Sequence, residues 1–475
     1  ETQHISPHDG LGQPGFSGFS HGGFAAMTSW CHQVPSDVLA PRALPFYDAA
    51  TAFRLGATDR HMHSTLRQLT DFRIALRKRR RLSKAASISL GRSIASLDCL
   101  RSLEADIGFT ALGQDGVRSL ARALGSLRVL VRLELSLGGC GFGTSGARLL
   151  AQELANSCSL TRLKLDLSFD DIGDAGLREV SQAIGCLTGL AVLALELNHN
   201  RIGDMGVGWL AQAVAALPAL ADVRICLFDN RVGEAGVHEL ARAVRALRRP
   251  SRLSVGLNRN AVSEAGVQDL SHATGAHLTL QELELHVSIS SVGWAGAHDL
   301  AAALGGLQGL QSLVLDLNVN HIGAAGAQLL AQALAAPQHL ASLKVLVSGN
   351  RIRENGAKEL AQAISALGSL TTLELDVSGN AIGDAGAWEL AQAIATLPML
   401  SRLVADLRGN LIGETGAREL ARALGSALAL RHLRHLELRL DGNGRGGGEE
   451  GPPHHDLAHA VHRLQGGGCI CECTW

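Results

Sequence analysis

Residues 370–397 read LTTLELDVSGNAIGDAGAWELAQAIATL, and they contain two different hydrophobic periods. In the first part, apolar Leu373, Leu375 and Val377 occupy every second position, which is the period of a β-strand. From Gly386 onward, apolar residues recur every three or four positions, which is the period of an amphipathic helix. The stretch therefore predicts one strand followed by one helix, with an Asn- and Gly-containing turn between them.

The same pattern recurs along the chain at intervals of thirty residues. The Asn that follows the strand part is found at Asn200, Asn230, Asn260, Asn320, Asn350, Asn380 and Asn410. The Leu that precedes the strand recurs from Leu100 to Leu400, with Pro250 in its place in one unit, and then shifts by three residues to Leu433. We count eleven full units between 100 and 432 and a partial twelfth that ends at Asn443. One strand and one helix cannot close a core alone, so neighbouring units must stack.

Stacked units of this kind predict an α/β solenoid with a parallel sheet on one side and helices on the other. A helix is about 10 Å wide and neighbouring strands are about 4.8 Å apart, so the array curves into a horseshoe. The sheet then forms the concave face and the α-helices form the convex face. Acidic residues near the helix starts are expected to cap the helices, and they are Asp174, Asp204, Glu234, Asp384 and Glu414.

The order Leu193-x-Leu195-x-Leu197-x-x-Asn200, followed by Ile-Gly and a Gly-containing helix, resembles the ribonuclease-inhibitor-like class of leucine-rich repeats. That class also includes the repeats of NOD-like receptors and of Ran GTPase-activating proteins. The resemblance covers residues 86–443 and implies a horseshoe solenoid. One feature departs from the family pattern, since three apolar positions precede the Asn here and two precede it in the usual signature.

The composition narrows the classes of function. The 475 residues carry a net charge of −1, so the chain has no basic bias and we expect no nucleic-acid partner. The sequence has no apolar run long enough for a membrane span and no secretory signal in residues 1–25. The scattered cysteines indicate free thiols in a reducing compartment, hence the cytoplasm. No phosphate-binding loop or catalytic motif is found, so we predict no enzyme and no cofactor.

The residues between the Leu columns of the strands are predicted to face the concave side. The two columns identified from the sequence hold eleven acids and four bases, which favours a protein partner with a basic surface. The alternative is that these are solvated strand residues without a function. The predicted protein-binding residues are Glu104, Asp106, Glu134, Asp166, Glu196, Phe228, Glu284, Asp316, Glu374, Asp376, Asp406 and Glu437.

The flanks of the array differ from it in composition. Residues 1–62 are predicted to be disordered, 63–99 to form a helical N-terminal cap, 100–443 to form the array, and 444–475 to form a flexible Gly/His/Cys-rich tail. The cap contains the basic run Arg77, Lys78, Arg79, Arg80 and Arg81, which is either a nuclear-import signal or a solvated helix face. The tail contains His455, His459, His462, Cys469, Cys471 and Cys473. Their spacing is not a common zinc frame, so no metal is predicted.

These features together predict a monomeric, non-catalytic scaffold or sensor that binds another protein. Two alternatives stay open. The resemblance to Ran GTPase-activating proteins implies a regulator of a small GTPase, although no residue of that family's site can be matched here. The chain is alternatively the ligand-binding part of a larger receptor-like protein.

Overall fold

The computed structural model describes residues 70–75, 84–110, 112–426, 432–444 and 470–474. All of them lie in the compact unit Arg67–Trp475. The segment 1–62, the basic run at 77–81 and the three His residues of the tail lie outside the described residues.

Within the described residues, fourteen strands form one parallel sheet in chain order, from β1 at one edge to β14 at the other. Neighbouring strands pair in matching register, so that Leu343 lies opposite Leu313 on one side and Leu373 on the other. The strands are β1 Asp71–Ala75, β2 Ser102–Asp106, β3 Arg132–Ser136, β4 Arg162–Asp166, β5 Val192–Glu196, β6 Asp222–Cys226, β7 Arg252–Gly256, β8 Glu282–His286, β9 Ser312–Asp316, β10 Ser342–Leu346, β11 Thr372–Asp376, β12 Arg402–Asp406, β13 His435–Arg439 and β14 Ile470–Thr474.

One helix follows each strand from β2 to β12, and each helix packs against the helices of the neighbouring units. The helices are α1 Lys84–Ala95, α2 Gly113–Ser126, α3 Gly143–Leu154, α4 Gly173–Gly185, α5 Asp204–Ala215, α6 Glu234–Ala246, α7 Glu264–Gly275, α8 Gly293–Gly305, α9 Gly323–Leu334, α10 Arg353–Ser365, α11 Gly383–Ala395 and α12 Glu414–Ser426. The predicted α/β leucine-rich repeat solenoid is confirmed.

The core lies between the sheet and the helices and is built from repeated aliphatic columns. In one unit Leu193, Leu195 and Leu197 are completely buried, and Leu210 of α5 covers them from the helix side. Because each unit repeats these positions, the columns run without interruption through the array. Burial of each Leu side chain contributes about 1.5–3 kcal/mol, which is why a chain so poor in aromatic residues can form a stable core.

The repeated Asn side chains join each unit to the one before it. The Asn350 side-chain oxygen accepts hydrogen bonds from the backbone N–H of Asn320 (2.9 Å) and of Ile322 (3.2 Å). Its amide nitrogen donates to the carbonyl oxygens of Leu317 (2.7 Å) and Val347 (2.9 Å). These backbone groups are buried in a turn that has neither helix nor sheet partners, so the Asn side chains complete their hydrogen bonding. The repeated Asn residues therefore have a structural role at the turns.

The acidic residues near the helix starts do not cap their own helices, contrary to the prediction. Helices α4, α5 and α11 have no side-chain hydrogen bond at their caps. The acids lie inside the first turn, and Asp174 instead accepts the backbone N–H of Gly203 in the next unit at 2.6 Å. Asp204 and Asp384 make the equivalent contact to the following unit. The carboxylates therefore form a second line of links between units.

The ends of the array contain more sheet than the sequence predicted. The segment 63–99, predicted to be helical, contains strand β1 before helix α1, and β1 pairs with β2. The last described residues of the predicted flexible tail form β14, which pairs with β13 so that Leu436 lies opposite Cys471 and Leu438 opposite Cys473. Each end therefore gains one strand, because an additional strand hydrogen-bonds the otherwise open edge of the sheet.

One position of the Asn series holds a carboxylic acid. Asp170 is 2% exposed, and one of its oxygens accepts the backbone N–H of Gly141 at 2.5 Å. Its other oxygen has no hydrogen-bond partner among the described residues. Burial raises the pKa of Asp170 from 3.8 to about 7, and the nearby charge of Asp166 adds to that increase. Ionisation of this carboxyl therefore opposes folding near neutral pH.

We predict that Asp170→Asn stabilises the protein at pH 8. The folded-state pKa lies above the unfolded value, so the wild type loses stability as the pH rises from about 4 to about 7. Asn cannot ionise and restores the hydrogen-bonding pattern of the other units. We expect a gain of about 2–4 kcal/mol in the free energy of unfolding at pH 8 and a smaller gain at pH 5, measured by urea denaturation. The neighbouring exposed Asp171→Asn is the control and should change little. An Asp170→Asn protein that is no more stable than wild type at pH 8 contradicts the prediction.

Candidate protein-binding face

The sheet presents one continuous face whose side chains alternate with the buried aliphatic columns. We call it the sheet face, and it consists of the first, third and fifth residue of each strand from β2 to β13. In β11, for example, Thr372, Glu374 and Asp376 lie on it, while Leu373 and Leu375 between them are buried. Eleven of the twelve predicted binding residues occupy third or fifth positions. The strand register brings them into two parallel rows, while Phe228 lies two residues beyond the end of β6.

The first strand positions belong to the same face, although they were not among the residues predicted from the sequence to lie on it. They are Ser102, Arg132, Arg162, Val192, Asp222, Arg252, Glu282, Ser312, Ser342, Thr372, Arg402 and His435. This row contains four Arg and two acids, whereas the third positions contain five acids and three bases. The fifth positions contain six acids and a single Arg. Negative charge is therefore concentrated at the carboxyl ends of the strands, and the face is much less acidic at their amino ends.

We call the row of fifth positions the acidic edge. Its carboxylates are Asp106, Asp166, Glu196, Asp316, Asp376 and Asp406. They are not equally available, since Asp316 is 8% and Asp406 is 4% exposed. Asp406 is also paired with Arg408 at 2.6 Å. Burial raises the pKa of Asp376, hydrogen bonds from Ser378 oppose this, and the adjacent charge of Asp406 adds to it. Asp166 and Glu196, which lie opposite each other on β4 and β5, are half-buried and more accessible.

Acids at the third positions are mostly balanced by bases on neighbouring strands. Glu104 pairs with Arg73 at 2.9 Å, and Lys344 pairs with Glu374 at 2.5 Å. The pKa of Glu134 is lowered, because a hydrogen bond from Arg132 and the charge of Lys164 outweigh the opposing effect of its burial. Surface ion pairs of this kind contribute little to stability, about 0–1 kcal/mol each.

A denser group of charges lies in the middle of the array, where the small Ser254 leaves room between its neighbours. Glu284 accepts a hydrogen bond from Ser254 Oγ at 2.7 Å and lies 3.4 Å from Arg224. His286 Nε2 is 4.0 Å from Glu284, and its Nδ1 is 3.8 Å from Asp316. The imidazole is therefore placed between two carboxylates. We call these five residues the central cluster.

The central cluster shifts the titration of its members. Hydrogen bonding by His286 lowers the pKa of Glu284 to about 2, against the opposing effect of burial and with further help from Ser254 and Arg224. Burial acts to lower the pKa of His286, but Asp316 and Glu284 together raise it to about 9. His286 is thus a cation at neutral pH, and it neutralises part of the negative charge of the face.

Phe228 is joined by aromatic side chains that were not predicted from the sequence to belong to the site. The His199 ring lies 5.0 Å from the Phe228 ring, edge to face, and stacks on Phe169 at 4.2 Å. Phe169 in turn lies 6.0 Å from Phe109. A signal for this group exists in the sequence, because Phe109, Phe169 and His199 all directly precede the position of the repeated Asn, which is Thr110, Asp170 and Asn200 in these units.

Two classes of site have no support in the part of the chain that the structure describes. None of its helices is long and apolar enough to cross a membrane. No three His, Cys, Asp or Glu residues are placed there to hold a metal ion.

We predict that His286 stabilises the fold in a pH-dependent way. Its folded-state pKa of about 9 lies above the ordinary 6.5, so its contribution is full below about pH 6.5 and is lost as the pH rises through 9. The wild type should be roughly 1–3 kcal/mol more stable than His286→Gln at pH 6, and the difference should vanish near pH 10. Denaturant unfolding at several pH values measures it. His272→Gln, at an exposed position of α7, is the control, and a difference that does not depend on pH contradicts the prediction.

The family profile described as "Leucine Rich repeat" matches residues 369–391, which span β11, the turn with Asn380 and the first half of α11. No curated protein sequence matches the chain. Among solved structures, an internalin from Listeria monocytogenes is similar, with 17% identity and a TM-score of 0.46, covering 91% of this chain and 95% of the other. The matched unit is one of a series with the same strand, Asn turn and helix, so the fold of the chain is that of a leucine-rich repeat solenoid.

Proposed function

We propose that the chain is a non-catalytic scaffold that binds another protein on the sheet face, through a basic surface of that partner. The observation that carries the proposal is the charge gradient along the strands, which ends in the acidic edge with six carboxylates against Arg439 and the protonated His286. A row in which one charge sign predominates steers an oppositely charged partner and fixes its orientation.

Packing of the hydrophobic core does not determine which residues lie on the sheet face. In β5 the buried Leu193 and Leu195 hold the strand in place, while the side chains of Ala194 and Glu196 have no packing role between the sheet and the helices. The strand backbone is hydrogen-bonded on both sides, so the presented side chains are held on a rigid support. A partner then loses little free energy in ordering this surface.

We also propose that the repeats belong to the ribonuclease-inhibitor-like class and that the protein is cytoplasmic. The ribonuclease-inhibitor-like class is supported by the α-helix of 12–14 residues that follows each strand from β2 to β12. A cytoplasmic location is supported by the cysteine chemistry, since the buried Cys140 thiol donates to the Ile107 carbonyl at 3.3 Å and takes the place of an Asn. We further propose that the chain acts as a monomer.

We predict that reversing accessible charges on the sheet face abolishes partner capture. Glu104, Glu196 and Glu374 have side chains that are 36%, 36% and 35% exposed, so their replacement by Lys should preserve the fold. The full-length chain is immobilised, and proteins captured from an extract are quantified by mass spectrometry at low and high salt. We expect the triple variant to lose captured basic proteins at least about tenfold, corresponding to about 1.4 kcal/mol. High salt should weaken capture by the wild type.

The matched control reverses three exposed acids outside the sheet face, Asp98, Glu264 and Glu354. This variant carries the same change in net charge, so it separates a local effect from a general one. Circular dichroism checks that both variants are folded. Equal capture by the wild type and the sheet-face variant, or equal losses in both variants, would refute binding through the sheet face.

A further inference from the structure

A row of bulky side chains lies along the carboxyl ends of the strands, next to the acidic edge. It consists of Phe109, Phe169, His199, Phe228 and Arg259, and we call it the aromatic ridge. Its members are in contact one after another, from the Phe109–Phe169 pair (6.0 Å) through the stacked Phe169–His199 pair (4.2 Å) to His199–Phe228 (5.0 Å). The Arg259 guanidinium lies over the Phe228 ring at 5.4 Å.

The ridge crosses a gap because one unit has no side chain at the corresponding position. Gly139 lies between Phe109 and Phe169 in the series, and a Cβ atom there would lie 2.5 Å from Cδ1 of Phe109. The glycine therefore makes room for the Phe109 ring, which leans across this unit and reaches Phe169. His199 is also fixed, since its Nδ1 lies 2.7 Å from a carboxylate oxygen of Asp229.

Four of the five ridge residues occupy the position directly before that of the repeated Asn, which we call the ridge position and where the backbone conformation favours glycine. Phe228 does not, since Asp229 occupies this position in its unit. Phe109, Phe169, His199 and Arg259 all have φ between 53° and 63°, in the left-handed region. The same position is Gly349, Gly379, Gly409 and Gly442 in the last units. A non-glycine residue in this region costs about 1 kcal/mol. The repeat can therefore have glycine at this position, but earlier units have large side chains there.

Two further units also have a large side chain where the last units have glycine. Ile289 and Val319 occupy the ridge position with φ of 53° and 55°, which is more unfavourable for β-branched residues. They are 48% and 45% exposed, and Phe109 and Phe169 are 56% and 52% exposed. Large apolar side chains that stay half-exposed in a strained conformation do not repay that cost by burial in the fold. Such a combination indicates a function.

We infer that the aromatic ridge is a docking surface for a segment of a partner protein that carries aromatic or aliphatic side chains next to Lys or Arg. This inference rests on the proposed function and specifies the partner of the same face. The acidic edge lies next to the ridge, since Asp106, Asp166 and Glu196 lie three residues before the ridge positions of their own units. Apolar groups of the segment contact the rings while its cations meet the carboxylates.

The dimensions of the ridge indicate the length of that segment. The ridge extends over five unit steps between Phe109 and Arg259, and strands are about 4.8 Å apart, which gives about 24 Å. An extended chain advances about 3.3 Å per residue, so about seven residues cover the ridge. The side chains of such a segment would alternate between the rings and the acidic edge, which matches a sequence of alternating apolar and basic residues.

The test uses random twelve-residue peptides displayed on phage and selected on the full-length chain. We expect the selected peptides to be enriched in Phe, Trp or Leu together with Lys or Arg. Their affinities are then measured by fluorescence anisotropy against the variant Phe109→Gly with Phe169→Gly. Glycine suits the left-handed backbone at both positions, so this variant should fold at least as stably as the wild type, and its binding should fall tenfold or more.

The control variant removes two exposed aromatic residues from the helix side, Trp294→Ala with Trp388→Ala, and should bind like the wild type. Peptides that lose affinity for the Glu104, Glu196 and Glu374 variant but not for the Phe109 and Phe169 variant overturn the ridge and retain the proposed function. Peptides that bind both of these variants as tightly as the wild type overturn the ridge and the proposed function together. Failure to enrich any sequence, or enrichment of apolar sequences without Lys or Arg, overturns the partner chemistry stated here.

Discussion

The structure depends above all on the hydrogen bonds that each repeated Asn makes to the preceding unit. Asn380 accepts the backbone N–H of Asn350 at 2.8 Å and donates to the Val347 carbonyl at 2.9 Å. Without such contacts, every turn after a strand would leave buried backbone groups without partners, at about 1–3 kcal/mol each. The same Asn fixes the path of the chain between sheet and helix, so it also determines where the residues on either side of it are presented.

Much of the fold could be predicted because the constraints that create it repeat. Leu373, Leu375 and Asn380 recur every thirty residues, and a residue that must be buried or must complete a turn cannot vary freely. The two end strands do not repeat these constraints, and β1 and β14 were missed for that reason. The segment Ile470-Cys-Glu-Cys-Thr474 alternates with the strand period, but the Gly-rich sequence before it predicted a flexible tail.

The candidate site was predictable only in outline. Alternation showed which residues leave the core, so Glu196 and Asp376 were placed correctly on the sheet face. The sequence alone did not show where each strand begins, and the Arg-containing first positions were therefore left out. Nor did it show that Asp406 is buried beside Arg408, because that contact depends on the path of the loop after β12.

A repeat protein can vary only those positions that its stacking contacts leave free, and the position before the Asn is the most informative of them. Its left-handed backbone makes glycine the residue of lowest energy, as at Gly379. Any larger residue there lowers stability unless it gains contacts, and Phe169 gains only part of them from its neighbours His199 and Phe109. Large side chains at this position therefore mark units in which stability has been lost, and they all lie before Gly349, so they distinguish the earlier units from the last ones in an otherwise regular solenoid.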